Sequence, residues 1–227
     1  LKRVFLELGG KSVNLVLDDA DLEATLAGSA VCCMHGGQGC AIPTRLLVPR
    51  SHYDEAVEMA RAAFENWAYG DPTDLSVLQG PQISRRQQER VLDYIQQGRA
   101  EGATVVTGGG RPDHLDRGWY VEPTLFADVD NAMAIAQEEI FGPVLVVIGF
   151  DDDDDAVHIA NDSPYGLAAY VQSASLDRAR AVGRQLRAGG VHLNYPAVDR
   201  GAPFGGYKQS GNGREWGRFG LEEFLET

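Results

Sequence analysis

The sequence has little cysteine, little basic charge and no long apolar run. Three cysteines in 227 residues are too few for a disulfide framework, so a reducing, cytoplasmic setting is expected. Twenty Lys and Arg stand against 33 Asp and Glu, a net charge of −13. An acidic surface of that kind disfavours unspecific attachment to nucleic acid or anionic membranes, and neither is expected as a partner. The longest uninterrupted apolar stretches, such as Val144–Ile148, are far too short to cross a bilayer. No signal-like segment follows Leu1-Lys2-Arg3, and no internal repeat or low-complexity linker interrupts the chain. Leu1 in place of an initiator Met reads as a cut inside a longer gene product. What is present is ordinary for a globular chain: 44% hydrophobic and 23% charged residues, enough for a real core.

Short apolar strands alternate with amphipathic stretches of helical period. Strands are expected at Val13–Leu17, Arg45–Val48, Thr104–Val106, Val144–Phe150, Leu167–Val171 and Gly190–Asn194, with Trp119–Phe126 extended. Helices are expected from Leu22 to Met34 behind an Asp21 cap, and over Tyr53–Trp67 behind a capping box at Ser51 and Asp54. Others are expected from Ser84 onward, at Ala156–Ala160 and at Leu176–Ala188. Asp151–Asp155 reads as a helix start favoured by the helix dipole, since a calcium loop needs alternating ligands and a Gly turn. This alternation predicts an α/β domain with an open, largely parallel twisted sheet flanked by helices.

Chemistry concentrates in a few places. Cys40 follows Gly36-Gly37-Gln38-Gly39, small residues that leave a sulfur approachable and let backbone amides turn toward it; a nucleophile also needs surroundings that favour thiolate. Cys32 and Cys33 fall inside a helical pattern and read as small buried apolar groups. They do not pair with His35 and Cys40 as a metal site, because adjacent side chains on a helix diverge by about 100°. Glu7, between Leu6 and Leu8 and before two Gly, reads either as a general base made more basic by apolar neighbours or as an exposed edge-strand carboxylate. Glu139 and Phe141 read either as one wall of a pocket, facing one side at i and i+2, or as a helix end followed by a core ring. Gly108–Gly110 and Gly211-Asn212-Gly213 lack the strand-to-helix context of a dinucleotide phosphate loop.

Five segments in order carry a resemblance: Leu6-Glu7-Leu8-Gly9-Gly10-Lys11, Gly37-Gln38-Gly39-Cys40, Glu138-Glu139-Ile140-Phe141-Gly142-Pro143, Asn161-Asp162-Ser163-Pro164-Tyr165-Gly166-Leu167 and Pro203-Phe204-Gly205-Gly206-Tyr207-Lys208. Together they are similar to the aldehyde dehydrogenase superfamily. The resemblance implies the catalytic-domain fold of that superfamily and oxidation of a small-molecule aldehyde by NAD or NADP through a cysteine thiohemiacetal and thioester. It implies Cys40 as nucleophile and Glu7 as general base. Leu8, Gly9, Glu139 and Phe141 would lie around the nicotinamide and its ribose, Gln87 and Arg90 toward the adenosine side, and Phe204 by the aldehyde tunnel. Asp199 near the tunnel mouth hints against a purely apolar entrance.

The family's enzymes are about twice this length. Residues 1–227 are therefore expected to be the catalytic domain of a homo-oligomer, without the N-terminal cofactor domain that carries an oxyanion Asn and without a C-terminal strand used in subunit pairing. Alone they are expected to lack dehydrogenase activity. Two other readings stand beside this one: a cofactor-independent Cys esterase or thioesterase using Cys40 and Glu7, and a non-enzymatic assembly module with exposed sheet edges.

Overall fold

The structure is a computed structural model that describes residues 2–226. In chain order its elements are β1 (Ser12–Val16), α1 (Leu22–Leu26), a 3₁₀ segment (Ser29–Gly37), β2 (Pro43–Pro49), α2 (Tyr53–Glu65), α3 (Arg85–Ala100), β3 (Thr104–Thr107), β4 (Thr124–Ala127), α4 (Ala134–Gln137) and β5 (Val144–Phe150). Then come α5 (Asp153–Asn161), β6 (Tyr165–Gly166), β7 (Ala168–Gln172), α6 (Leu176–Gly183), β8 (Gly190–Leu193), β9 (Tyr207–Lys208) and α7 (Gly217–Glu222).

Seven strands form one sheet in the order β3-β4-β5-β2-β1-β7-β8, with β3 antiparallel to β4 and every other pair parallel. The sheet is apolar on both faces because helices cover both. Along β5, Val144, Val146, Ile148 and Phe150 enter one layer with Val91 and Ile95 of α3 and Ala156 of α5. Leu145 and Val147 enter the other, with Ala56, Ala60 and Phe64 of α2. Strand β1 divides in the same way: Val13 and Leu15 face the first layer, Val16 the second. No helix among the described residues is long and apolar enough to cross a membrane.

The α/β architecture is as expected, but four boundaries differ. The helix expected over Leu22–Met34 stops at Leu26, and the chain continues past Gly28 as a 3₁₀ segment that ends in left-handed His35, Gly36 and Gly37. Asp21 does cap α1, its carboxylate accepting the Ala24 N–H at 3.0 Å. Ser51 does not cap α2. It lies in a 3₁₀ turn (Arg50–His52), where Arg50 donates to Asp151 at 2.8 Å, and His52 occupies the cap position without a side-chain bond. Residues 119–123 are not strand because their carbonyls bond elsewhere: Gln82 N–H, Gln88 and Gln79 donate to the carbonyls of Trp119, Tyr120 and Val121. Helix α6 ends at Gly183 rather than near Ala188, since the Asn161 side chain engages the Gln185 carbonyl and the Arg187 N–H. The Asp run is a helix start, with Asp152 capping α5 through the Asp155 N–H.

Two cations are buried at the start of β1 and in β2. Arg45 donates to the carbonyls of Lys11, Ile159 and Ala160 and to Asn131. Lys11 is 3% exposed, and its Nζ has no hydrogen-bond partner among the described residues. Burial, then the nearby Arg45 charge, lowers its pKa from 10.5 to about 7. The unfolded chain therefore binds a proton here between pH 7 and 10.5 that the folded chain does not. The penalty that Lys11 places on stability is present in full below pH 7 and fades as pH rises to 10.5; it amounts to about 5 kcal/mol at most. Lys11→Met is expected to stabilise the fold in urea denaturation at pH 6, with a gain that shrinks steadily toward pH 10. A gain independent of pH would overturn this account.

Candidate active site

Glu7 lies in the segment before β1, and a distant loop fixes it there. Leu8 N–H donates to the Ser210 carbonyl at 3.0 Å, Gly213 N–H to the Leu6 carbonyl at 2.7 Å, and Leu6 N–H to the Asn212 side chain at 2.9 Å, with Glu7 bridged to Gly211. The loop needs glycine at its tip: Gly211 is left-handed, and a Cβ there would collide with the Leu6 carbonyl. Glu7 is half-buried at this bridge rather than fully exposed. Its carboxylate turns inward, and Oε1 is buried with no hydrogen-bond donor among the described residues. Burial first, then the Glu215 and Glu139 carboxylates, raise its pKa above the usual carboxylate range.

Cys40 follows the 3₁₀ segment in a loop held by side chains from another part of the chain. Gln82 donates to the Gly36 carbonyl and Gln38 to the His35 carbonyl, both at 2.8 Å, while Gln38 Oε1 accepts the Ile83 N–H. Left-handed Gly37 packs directly on the Gly142–Pro143 backbone with no room for a side chain. The result is a half-buried Cys40 sulfur, whereas Cys32 and Cys33 are 2% and 0% exposed. The setting favours the thiol over the thiolate, contrary to what a nucleophile was expected to need. Burial and the Glu7 carboxylate push the Cys40 thiol above its ordinary value, and the amides of Ala41 and Cys40 oppose them.

Cys40 and Glu7 line one cavity of about 780 Å³. Phe204 lines it too. Sequence reasoning missed Asn14, Tyr170, Tyr195, Glu215 and Trp216, which line it together with His35 and apolar residues of the 3₁₀ segment such as Val31 and Met34. Asn14 faces away from Val13 on β1, and its Nδ2 donates to Tyr195 Oη at 2.7 Å. Tyr170 Oη donates to the Ala41 carbonyl at 3.2 Å, next to Cys40. The one sequence signal for this group was a polar residue, Asn14, inside an otherwise apolar strand.

Glu139 meets the Glu7 segment from the other side. Its Oε1 accepts the Gly10 N–H at 3.0 Å, and its carboxylate occupies the space that a Cβ on Gly9 would need. Burial raises its pKa, with the Gly10 amide, Lys11 and Arg90 opposing. Phe141 has φ 59°, so the segment is not regularly extended, and its ring is 38% exposed rather than in the core. Leu8 is 44% exposed on the same segment as Gly9. Gln87 donates to the Ile140 and Phe141 carbonyls and Arg90 to the Glu139 carbonyl. These two side chains shape the loop that bears Glu139 and Phe141.

A cysteine and an inward carboxylate on one cavity, beside a glycine and carboxylate cradle, are the features to set against known proteins. The profile of the aldehyde dehydrogenase family matches residues 1–227. The chain belongs to the aldehyde dehydrogenase family. It is 54% identical, over its full length, to a 3-succinoylsemialdehyde-pyridine dehydrogenase of a Pseudomonas species, and 46% identical to a putative aldehyde dehydrogenase of Staphylococcus saprophyticus. In each case it covers 48% of the relative, so the chain spans about half the length of the curated relatives it matches. Among solved structures it is similar to an aldehyde dehydrogenase from Pseudomonas syringae bound to NAD+ and octanal (TM-score 0.97, 47% identity). It is equally similar to one from Mycobacterium tuberculosis bound to NAD+ (TM-score 0.97, 48% identity). It is covered completely in both and covers 47% of each.

Proposed function

We propose that the protein to which these residues belong oxidises an aldehyde to a carboxylic acid with NAD or NADP, and that this chain supplies its nucleophile and general base. The observation that carries the reading is the meeting of Cys40 and an inward, hydrogen-bond-deprived Glu7 on one cavity. The Cys40 thiol gives up its proton to solvent, its sulfur bonds to the aldehyde carbon as the C=O pair moves onto oxygen, and the Cys40 N–H would support the charge that develops there. The nicotinamide, when bound, supplies the hydride acceptor. The acyl group is then held as a thioester on Cys40. Glu7 takes a proton from water, whose oxygen bonds to the thioester carbon, and the acid leaves as the Cys40 sulfur is released.

The residues at Gly9 fit a nicotinamide cofactor. The absent side chain of Gly9 lets the Glu139 carboxylate sit against the backbone there, and Glu139 Oε2 is an acceptor suited to a ribose hydroxyl. Leu8 and Phe141, both partly exposed on the two flanking segments, offer apolar contact. Gln87 and Arg90 act here by positioning the 139–141 backbone. A homo-oligomeric, cytoplasmic enzyme is part of the same proposal. The NAD+ complexes of the Pseudomonas syringae and Mycobacterium tuberculosis relatives support NAD as cofactor.

Brief iodoacetamide treatment with peptide mapping, paired with an absorbance assay for reduced nicotinamide, tests the reading. Cys40 is expected to label first, at a rate that keeps rising above the ordinary thiol pKa because its thiol is held high. Buried Cys32 and Cys33 should stay unlabelled. Aldehyde oxidation should depend on the nucleotide. Faster labelling of Cys32 or Cys33 would remove Cys40 from its role, and ester hydrolysis with no nucleotide-dependent turnover would favour the esterase reading.

A further inference from the structure

Three neighbouring strands set one row of side chains against the loop that carries Cys40. Parallel pairing puts Asn14 of β1 opposite Tyr170 of β7, and Tyr170 opposite His192 of β8. Their strand neighbours Val13, Leu15, Ala169, Val171, Val191 and Leu193 all enter the first core layer, so the row itself faces the other way. On that side the Tyr170 ring stacks on His192, 4.9 Å away at 21°, with Tyr195 tilted against it at 6.1 Å. The Tyr195 phenol in turn accepts from Asn14 Nδ2.

Tyr170 is therefore a fixed donor, and what it holds is the backbone next to the nucleophile. Its Oη donates to the Ala41 carbonyl. Ala41 and Ile42 form the lead-in between Cys40 and β2, ahead of the first paired residue, Pro43. The N–H groups of Ala41 and Cys40 favour the Cys40 thiolate, against burial and against the Glu7 and Glu139 carboxylates. The Ala41 N–H serves the sulfur only while that residue keeps its orientation, and the phenol grips the same residue by its other polar group. Burial, then the Cys40 charge, raises the Tyr170 phenol above its ordinary value, so it keeps the proton it donates while Cys40 ionises. Burial lowers the His192 pKa, which leaves a neutral ring in the stack.

We propose that Tyr170 is a positioning residue for the reaction: its bond to the Ala41 carbonyl keeps the Ala41 N–H turned to the Cys40 sulfur, and the His192 stack keeps the phenol in place. The inference rests on the reading of Cys40 as nucleophile. The other ionisable groups that face Cys40 are Glu7, Glu215, His35 and Cys32 on the cavity and Glu139 beside it. Tyr170→Phe removes one oxygen and leaves all of them in place, so a change in how Cys40 titrates reports the loop and not its neighbours.

The test is the rate of Cys40 alkylation by iodoacetamide in the full-length protein, followed by peptide mapping across the pH range in which thiols ionise. In Tyr170→Phe the midpoint of that profile should rise by about half a pH unit or more, because an amide bond to a charged sulfur is loosened. Alkylation near neutral pH should then run about threefold slower or more. His192→Leu should move the midpoint the same way by less, and it decides the matter should the Phe variant fold poorly. A thermal midpoint that falls while the alkylation midpoint stays put in both variants would reduce Tyr170 to packing and overturn the inference. Alkylation of Cys32 or Cys33 ahead of Cys40 in the parent would instead overturn the nucleophile reading. A parent that labels at Cys40, with a profile that neither variant shifts, would overturn this inference alone.

Discussion

Cys40→Ala should abolish aldehyde oxidation in the full-length protein, with kcat falling at least about 10⁴-fold, as seen when a covalent nucleophile is removed from other enzymes. The fold should survive. Cys40 is half-buried in a loop whose shape is set by Gln38, Gln82 and left-handed Gly36 and Gly37, and its sulfur is not packed in either core layer. A thermal midpoint within a few degrees of the parent, together with nucleotide affinity unchanged in calorimetry, would separate loss of chemistry from loss of structure. Cys32→Ala should do the reverse, lowering stability by emptying a buried site while leaving turnover near normal. Sustained oxidation by the Cys40→Ala protein would end the covalent mechanism.

Glu7→Gln should slow turnover by about 10²- to 10⁴-fold, the usual worth of a positioned base. The block should fall after acylation. Rapid-quench sampling and mass spectrometry should then find an acyl group accumulated on Cys40, after a burst of reduced nicotinamide of about one equivalent. The pH profile provides a separate check. Burial and two neighbouring carboxylates raise Glu7, so its basic form is lost as pH falls through a value above the ordinary carboxylate range. The parent should show an acid limb displaced to that higher pH, and the limb should vanish in the Gln variant, whose residual rate no longer depends on that proton. Normal turnover without acyl accumulation would reject Glu7 as the base.

Some of this was legible in the residues themselves. Period-two and period-3.6 patterns place β1, β2, β5, α3 and α5, because helices covering both faces of a parallel sheet leave continuous apolar strands such as Val144–Phe150. The Gly-rich approach to Cys40 and the Leu-flanked Glu7 also stand out locally. Each owes its setting to its immediate neighbours: small residues that open access, apolar ones that remove water.

Tertiary structure decided the rest, because it depends on groups far apart in the chain. Residues 119–123 leave the sheet because glutamines 79, 82 and 88 bind their carbonyls, and α6 stops at Gly183 because Asn161 intercepts the next turn. Glu7 becomes an inward acid only when the Ser210–Gly213 loop, two hundred residues later, takes up its backbone. The ring walls of Phe204, Trp216, Tyr195 and Tyr170 have no shared spacing in the sequence. They meet because parallel β1 and β7 set Asn14 beside Tyr170, and because the chain after β8 turns back over that edge. From the sequence alone came Cys40 and Glu7 as candidates and the layered α/β frame. The cavity they share, its acidity and its aromatic walls follow from long-range backbone pairing, since no local pattern records which distant carbonyl will satisfy a given donor.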